Sequence, residues 1–225
     1  MEQRSDEWFA ARLGRVTASR IADVMARTKS GYGASRANYM AELVCERLTG
    51  TKADGYTNAA MQWGTEKEPD AKAAYSFMTD CVIEDAGFIA HPSIAMAGAS
   101  PDGFLGSDGL IEVKCPNTAS HIETLLGETI EGKYLLQMQF QMACTGRAYC
   151  DFASFDPRLP AELQLWIKRV PRDNAKIEEI EKEVIAFLTE LDGKVATLRS
   201  RYMKEADPMS AEAKAALADC TLLAG

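Results

Sequence analysis

Three side chains near the middle of the chain could do chemistry together. Ser100-Pro101-Asp102-Gly103 is followed, after a tight turn, by Ile111-Glu112-Val113-Lys114. The turn, Gly106-Ser107-Asp108-Gly109, sits between apolar stretches and predicts a hairpin over 103–105 and 110–114. In a hairpin, positions such as Asp102 and Glu112 lie side by side. Glu112 and Lys114 are two apart on one strand and share a face. Leu110, Ile111 and Val113 make that strand central and the charges semi-buried. Magnesium takes hard oxygen ligands and often needs only one or two carboxylates plus water and phosphate. Asp102 and Glu112 could supply those, with the Ile111 carbonyl as a further ligand. Such a metal would lower the pKa of a bound water and polarise a phosphoryl oxygen. Lys114 could orient the attacking water or stabilise a pentavalent transition state. A cross-strand salt bridge on a solvated face is the competing reading, since three charges at loose spacing are common. The apolar strand argues against it, because burying three charges for stability alone is rarely favourable.

Other elements must position this hairpin. Ser5-Asp6-Glu7 starts a helix that runs through Leu13 and stops at Gly14. Thr17-Ala18-Ser19 opens a second, through Met25. Residues 28–36 form a loop with two glycines, a tyrosine and basic residues. A third helix covers 37–49, ended by Gly50, and a loop follows to Tyr56. A fourth spans 58–79, capped by Asn58, with Pro69 predicting a kink or break. Residues 82–90 and 93–98 look like short strands. A helix covers 133–145, strands cover 148–155 and 162–170, and a long helix covers 174–204. The long helix carries apolar residues from Ile177 to Leu198 at a spacing near 3.5, a face that packs internally, on a neighbouring subunit or on a partner. The tail, 207–225, reads as a short helix. The order predicts an α/β fold with a mixed central sheet flanked by helices on both faces.

Composition narrows the chemistry. The only histidines are His91 and His121, which excludes histidine-rich zinc sites. The six cysteines form no C-x-x-C pair and sit in apolar stretches, as buried reduced thiols of a cytoplasmic protein would. No apolar run approaches the ~20 residues of a membrane span. The charged start, MEQRSDEW, does not resemble a signal peptide. Net charge is −8, against the basic footprint usual for nucleic-acid binding. But residues 1–40 carry seven basic and four acidic side chains, leaving a basic lip on an acidic body.

SPDG…IEVKCP resembles the active-site motif of the PD-(D/E)xK, restriction-endonuclease-like nucleases. Arg12-Leu13-Gly14-Arg15-Val16-Thr17-Ala18-Ser19 is similar to the RLG-x-[IV]-TAS segment of the phage lambda exonuclease family, the viral recombinase exonucleases. Trp63-Gly64-Thr65-Glu66-Lys67-Glu68 resembles that family's WG-x-x-x-E, and Gln137-Met138-Gln139 its Q-x-Q. The resemblance covers roughly residues 5–160, with Phe155-Asp156-Pro157-Arg158 also familiar. It implies a restriction-endonuclease-like core in one nuclease domain, 1–225: a helical part with a DNA-facing loop (1–80), a catalytic sheet (81–170) and C-terminal helices (171–225). It implies a Mg²⁺-dependent 5′→3′ exonuclease on linear double-stranded DNA, with Mn²⁺ as substitute. Such an enzyme releases 5′-mononucleotides and leaves a 3′ single strand. A homotrimeric ring, a single-strand annealing protein as partner and a bacterial or phage-infected cytoplasm come with it.

Carried over by position, the resemblance gives Asp102, Glu112 and Lys114 the catalytic places, with Ile111 offering its carbonyl. Arg12 matches the arginine that holds the 5′-terminal phosphate. Ser19 and Ser100 match phosphate-contacting serines; a cap is the plainer reading of Ser19. A guanidinium beside a hydroxyl at a helix start makes an anion pocket. Glu68 matches a glutamate near the metal, though Pro69 follows it directly. Gln137, with Tyr134 beside it, is expected to touch the attacking water or scissile phosphate. Gln141 reads instead as part of a polar outer helix face. Lys29 and Arg36, with Arg27 and Tyr32, are expected to touch the duplex from the early loop. The alternatives are an endonuclease or nicking enzyme on the same core, a non-catalytic DNA-binding scaffold for an annealing protein, and a two-carboxylate glycosidase. An end-sensing pocket has no use in an endonuclease, the intact Asp102/Glu112/Lys114 set argues against a scaffold, and a glycosidase needs neither lysine nor arginine pocket.

Overall fold

The computed structural model describes residues 2–29, 31–52 and 59–203. The expected cap at Asn58, the loop end at Tyr56 and the tail 207–225 lie outside them. The helices are α1 (Asp6–Arg12), α2 (Ile21–Val24), α3 (Ala34–Thr49), α4 (Ala59–Thr79), α5 (Thr118–Gly127), α6 (Gly132–Thr145) and α7 (Asn174–Tyr202). The strands are β1 (Val16–Thr17), β2 (Arg27–Thr28), β3 (Gly31–Tyr32), β4 (Ile83–Glu84), β5 (Ile89–Ala90), β6 (Ala97–Ala99), β7 (Gly103–Leu105), β8 (Gly109–Lys114), β9 (Tyr149–Phe155) and β10 (Leu165–Pro171).

The predicted hairpin is β7–β8, in register Gly103 to Ile111 and Leu105 to Gly109. It sits inside a five-stranded mixed sheet of order β10-β9-β8-β7-β4. β8 pairs parallel with β9, so the strand carrying Glu112 and Lys114 is central. Gly109 belongs to the strand rather than to the turn. A Cβ there would lie 2.4 Å from the ring of Tyr149 on β9, so the glycine leaves room for that ring to lie against β8.

Alternation along β8 sends its residues to two different helices. Leu110 faces α6 and packs with Met138, Phe140 and Met142, along with Cys150 and Phe152 of β9. Ile111 and Val113 face α4 and pack with Ala71 and Tyr75. Both faces of the sheet are therefore covered, as the element order predicts. α7 buries Ile177, Ile180, Val184, Phe187, Leu188, Leu191 and Val195. It packs against α3, α6 and α2. The long apolar face is thus an internal one; each such side chain contributes roughly 1.5–3 kcal/mol on burial.

Several elements differ from expectation for local reasons. The second helix starts as a 3-10 turn, Ala18–Arg20, because Thr17 is already paired in β1, and Ser19 caps nothing there. Part of the early loop is a β2–β3 hairpin, and α3 begins at Ala34. α4 runs unbroken through Pro69. The strands expected over 82–90 and 93–98 shrink to β4, β5 and β6. Leu163 falls in a 3-10 turn ahead of β10, half exposed. α5 was not foreseen; Asn117 caps it by accepting from the Ser120 N–H at 2.9 Å. Cys115, Cys144 and Cys150 are buried as expected, but Cys45 and Cys81 are exposed.

Candidate metal and phosphate site

The β7–β8 register brings the three chemical side chains together. The Val113 N–H donates to Asp102 Oδ2 at 2.7 Å, which fixes Asp102 against the strand carrying Glu112. Lys114 donates to Glu112 Oε1 on the shared face. Glu112 is 1% exposed, and helix α6 closes over it. Gln137 Nε2 donates to Glu112 Oε1 and Gln141 Nε2 to Glu112 Oε2, each at 2.6 Å. Gln141 is thus not on a polar outer face: it is fully buried. The sequence signal was present in the four-residue spacing from Gln137, which puts both amides on one face. Gln139, in the Q-x-Q motif, points elsewhere. It donates to the Pro171 carbonyl and accepts from the Asp173 N–H, both at 2.9 Å, tying α6 to the end of β10.

The electrostatics are those of a site with surplus negative charge. Protein atoms crowd the Asp102 carboxyl, and this, with the adjacent charge of Glu112, pushes its pKa up to about 8. Burial alone would lower the Lys114 pKa. The two carboxylates outweigh it, and the ammonium is held charged well above its usual range. Lys114 Nζ also lies 5.1 Å from the centre of the Tyr134 ring, and Lys133 Nζ 4.7 Å. Tyr134 therefore has two cations against its ring at the rim. Two carboxylates sharing one lysine, in a mostly oxygen donor set, fit a hard divalent cation completed by water and phosphate. Among the described residues no three His, Cys, Asp or Glu side chains cluster with metal-holding geometry.

Glu68 stands near Asp102, close enough for its charge to help raise the Asp102 pKa, but is engaged by other partners. It stands on α4, which covers the opposite face of the sheet from α6. It lines a cavity of about 730 Å³ with Asp102, Arg4 and Lys72. Both its oxygens are taken, by Arg4 Nη2 and Lys72 Nζ, each at 2.8 Å. Burial would raise its pKa, but these two cations hold it below the usual range. Pro69 leaves its direction on the helix unchanged enough to face that cavity. Gln3 and Arg4 carry no sequence signal for this place. Gln3 Nε2 donates to the carbonyls of Ala86 and Pro101 at 2.7 Å, which lays the N-terminal segment beside Asp102.

A second cavity, about 470 Å³, is lined by Arg12, Arg15, Ser19, Arg20 and Lys52 among others. Arg12 Nη1 donates to Ser100 Oγ at 3.1 Å, and Trp8 Nε1 to the same oxygen at 2.9 Å. The Arg12 guanidinium lies 4.2 Å from the Trp8 ring centre. Burial draws its pKa down, but an arginine remains charged. Ser100 stands two residues before Asp102, so one short segment links this cationic cavity to the carboxylate pair. Glu42 and Glu46 also line the cavity, so its charge is mixed.

The early loop departs from expectation. Arg36 is 5% exposed, its guanidinium 3.8 Å from the Tyr32 ring centre and 2.7 Å from Glu190 on α7. It cannot reach a duplex on the surface; it braces α3 against α7. Arg27 and the Tyr32 hydroxyl both engage Glu183 on α7. Lys29, at the tip of the β2–β3 hairpin, is exposed. Neither histidine lies in the site. His121 is fully buried, with Nδ1 at 2.7 Å from Ser154 Oγ and Nε2 at 2.9 Å from the Leu163 carbonyl. His91 Nδ1 accepts from the Ile94 N–H at 3.1 Å, which leaves Nε2 to donate to Glu181 at 3.0 Å.

Comparison with known proteins agrees with this architecture. The chain is 56% identical to an alkaline exonuclease (LHK-Exo) from Laribacter hongkongensis, with 88% of this chain and 97% of that one covered and a TM-score of 0.82. The same protein in complex with dAMP superposes with a TM-score of 0.83. A phage-related exonuclease from Haemophilus somnus 129PT is 16% identical over 82% of this chain and 96% of its own. Its TM-score of 0.68 shows a common fold. That fold is the restriction-endonuclease-like one. No curated protein matches. Residues 7–148 match the model of the YqaJ-like viral recombinase domain. The chain belongs to that family of viral recombinases, the lambda exonuclease family.

Proposed function

We propose that this protein is a Mg²⁺-dependent exonuclease that digests linear double-stranded DNA 5′→3′. It releases 5′-mononucleotides and leaves a 3′ single strand for recombination by single-strand annealing. The observation that carries the reading is the span from Arg12 through Ser100 to Asp102. A cationic cavity fit for a terminal phosphate adjoins a carboxylate pair, Glu112 buried and Asp102 half-buried, fit for hydrolysis. An enzyme that starts from ends needs both; an endonuclease needs only the second. The 56% identity to an alkaline exonuclease, one also seen with dAMP, supports the same reading.

Asp102, Glu112 and the Ile111 carbonyl would hold magnesium, or manganese in its place, which when bound supplies a more acidic water and charge neutralisation at phosphorus. Lys114, kept protonated by its two carboxylates, orients the attacking oxygen and answers the charge that develops. Gln137, half-buried beside it, offers its amide to the water or the scissile phosphate. Arg12, with Ser100 and Ser19, receives the 5′-phosphate through charge-assisted hydrogen bonds. Lys29 meets the duplex backbone from its hairpin tip, and Tyr134 flanks the entry. Glu68 serves the same metal only if Arg4 and Lys72 release it. A homotrimeric ring around the duplex and a single-strand annealing protein as partner complete the proposal. A chain of net charge −8 would let such a ring slide.

The test compares linear duplexes bearing a 5′-phosphate or a 5′-hydroxyl with a closed circle, all with magnesium. Mononucleotides from the phosphorylated linear duplex, with the circle intact, are expected. Cutting of the circle would replace this reading with an endonuclease. Binding without cleavage on all three would replace it with a scaffold. Light scattering of the protein in solution tests the trimer.

A further inference from the structure

We infer that Gln141 is a positioning residue that sets the plane of the Glu112 carboxylate; this rests on the metal reading above. A carboxylate only accepts hydrogen bonds, so the Gln141 atom 2.6 Å from Glu112 Oε2 must be the amide nitrogen. That fixes the amide's orientation and sends its own oxygen the other way. There Oε1 is buried and meets no hydrogen-bond donor among the described residues. A buried carbonyl without a partner disfavours the folded state. A methionine would fill a similar volume between Met138 and Met142 and bury no polar atom. The side chain's hydrogen bond is to Glu112, and holding that carboxylate is what a glutamine does here that a methionine would not.

The terminal torsion of a glutamate side chain is broad, so its carboxylate turns unless it is gripped. Gln137 and Gln141 grip it from one helix, four residues apart, one on each oxygen. The two grips differ in kind. Lys114 and Gln137, on Oε1, are both partly exposed. Gln141, on Oε2, is sealed in the core. Oε1 is thus the oxygen toward the open side, and Oε2 the anchor. Without the anchor, Glu112 keeps its place in the strand but loses its fixed plane.

The experiment titrates Mn²⁺ into metal-free protein and reads free Mn²⁺ by electron paramagnetic resonance. It compares the wild type with Gln141→Met and monitors folding by circular dichroism and Tm. Partners that orient a metal's ligands are typically worth 10–100-fold in metal affinity. The expected result is a folded Q141M, its Tm lowered because Glu112 Oε2 loses its buried donor, with Mn²⁺ affinity lower by about that factor. An unchanged affinity overturns the inference, whether or not Tm falls. Should Q141M fail to fold, Gln141→Asn is read instead; it keeps an amide but is one methylene short of Glu112. A wild type that takes up no Mn²⁺ overturns the metal reading and this inference together. A wild type that binds as tightly as Q141M overturns this inference alone.

Discussion

Asp102 Oδ2 accepts the N–H of Val113, the residue between Glu112 and Lys114, at 2.7 Å. One backbone hydrogen bond therefore locks the aspartate of one strand to the glutamate and lysine of the next. The carboxyl is paired and crowded, and its neighbour Glu112 is also acidic. Its pKa of about 8 follows from that crowding first and from Glu112 second.

This pKa makes a stability prediction. An aspartate in the unfolded chain titrates near ~3.9. Between about pH 4 and pH 8 the unfolded metal-free chain has lost this proton and the folded one has kept it. The folded state binds more protons, so the contribution of Asp102 to stability falls as pH rises through that window. Asp102→Asn removes the titration. In EDTA, urea unfolding should show D102N gaining on the wild type between pH 5 and pH 9. A constant difference between the two proteins across that range would count against the raised pKa.

The same proton competes with the metal. A cation needs Asp102 ionised, so its binding releases the proton and tightens as pH rises toward 8. Mn²⁺ affinity of the wild type should climb about tenfold per pH unit below that point, where one proton is released per ion. Titrations at pH 6, 7, 8 and 9 check the slope and its flattening. An affinity independent of pH would exclude Asp102 as a protonated ligand.

How much of this was legible beforehand depended on whether the signal was local. The hairpin was, because alternation and a Gly-containing turn fix the register that sets Asp102 beside Glu112. The apolar face of α7 was visible as a pattern, but its partner was not, since periodicity does not name what covers it. Gln141 misled because a glutamine on an amphipathic helix usually faces water. Only the pairing of α6 with β8, 29 residues away in the chain, makes it an inward donor. Arg36 misled for the mirror reason: a basic residue near a glycine loop looked exposed, and α7, more than 150 residues later, buries it. The N-terminal contacts of Gln3 and Arg4 are equally long-range and carry no motif.

Arg36 and Lys29 should therefore behave oppositely. Arg36→Ala leaves Glu190 with Lys194 as its ion-pair partner and strips the cation from Tyr32 and Phe187. Its cost should be about 1–2 kcal/mol, since Glu190 is partly solvated and the lost stacking is worth up to ~2. That is a Tm drop of roughly 2–8 °C for a chain of this size, with the salt dependence of DNA binding unchanged. Lys29→Ala should leave Tm alone. If Lys29 meets a phosphate, it flattens the slope of log K against log salt by about 0.9. Thermal melts and binding isotherms at several salt concentrations read both.

Arg12 offers the sharpest separation between sensing an end and cutting a bond. Its guanidinium rests on Trp8 and donates to Ser100, and neither contact touches Glu112 or Lys114. Arg12→Ala should therefore spare the hydrolytic site while removing a charge-assisted hydrogen bond to the terminal phosphate. Such a bond is worth roughly 1.5–3 kcal/mol, or about 10–150-fold in kcat/KM. The loss should fall on duplexes with a 5′-phosphate and leave the slower 5′-hydroxyl substrate nearly unchanged, so that the preference between them collapses. Arg12→Lys should recover only part of it, because lysine lacks the planar fork that both stacks on Trp8 and donates. Equal losses on both ends would instead assign Arg12 to holding the α1 segment against Ser100, and Asp102 would then work without a phosphate sensor beside it.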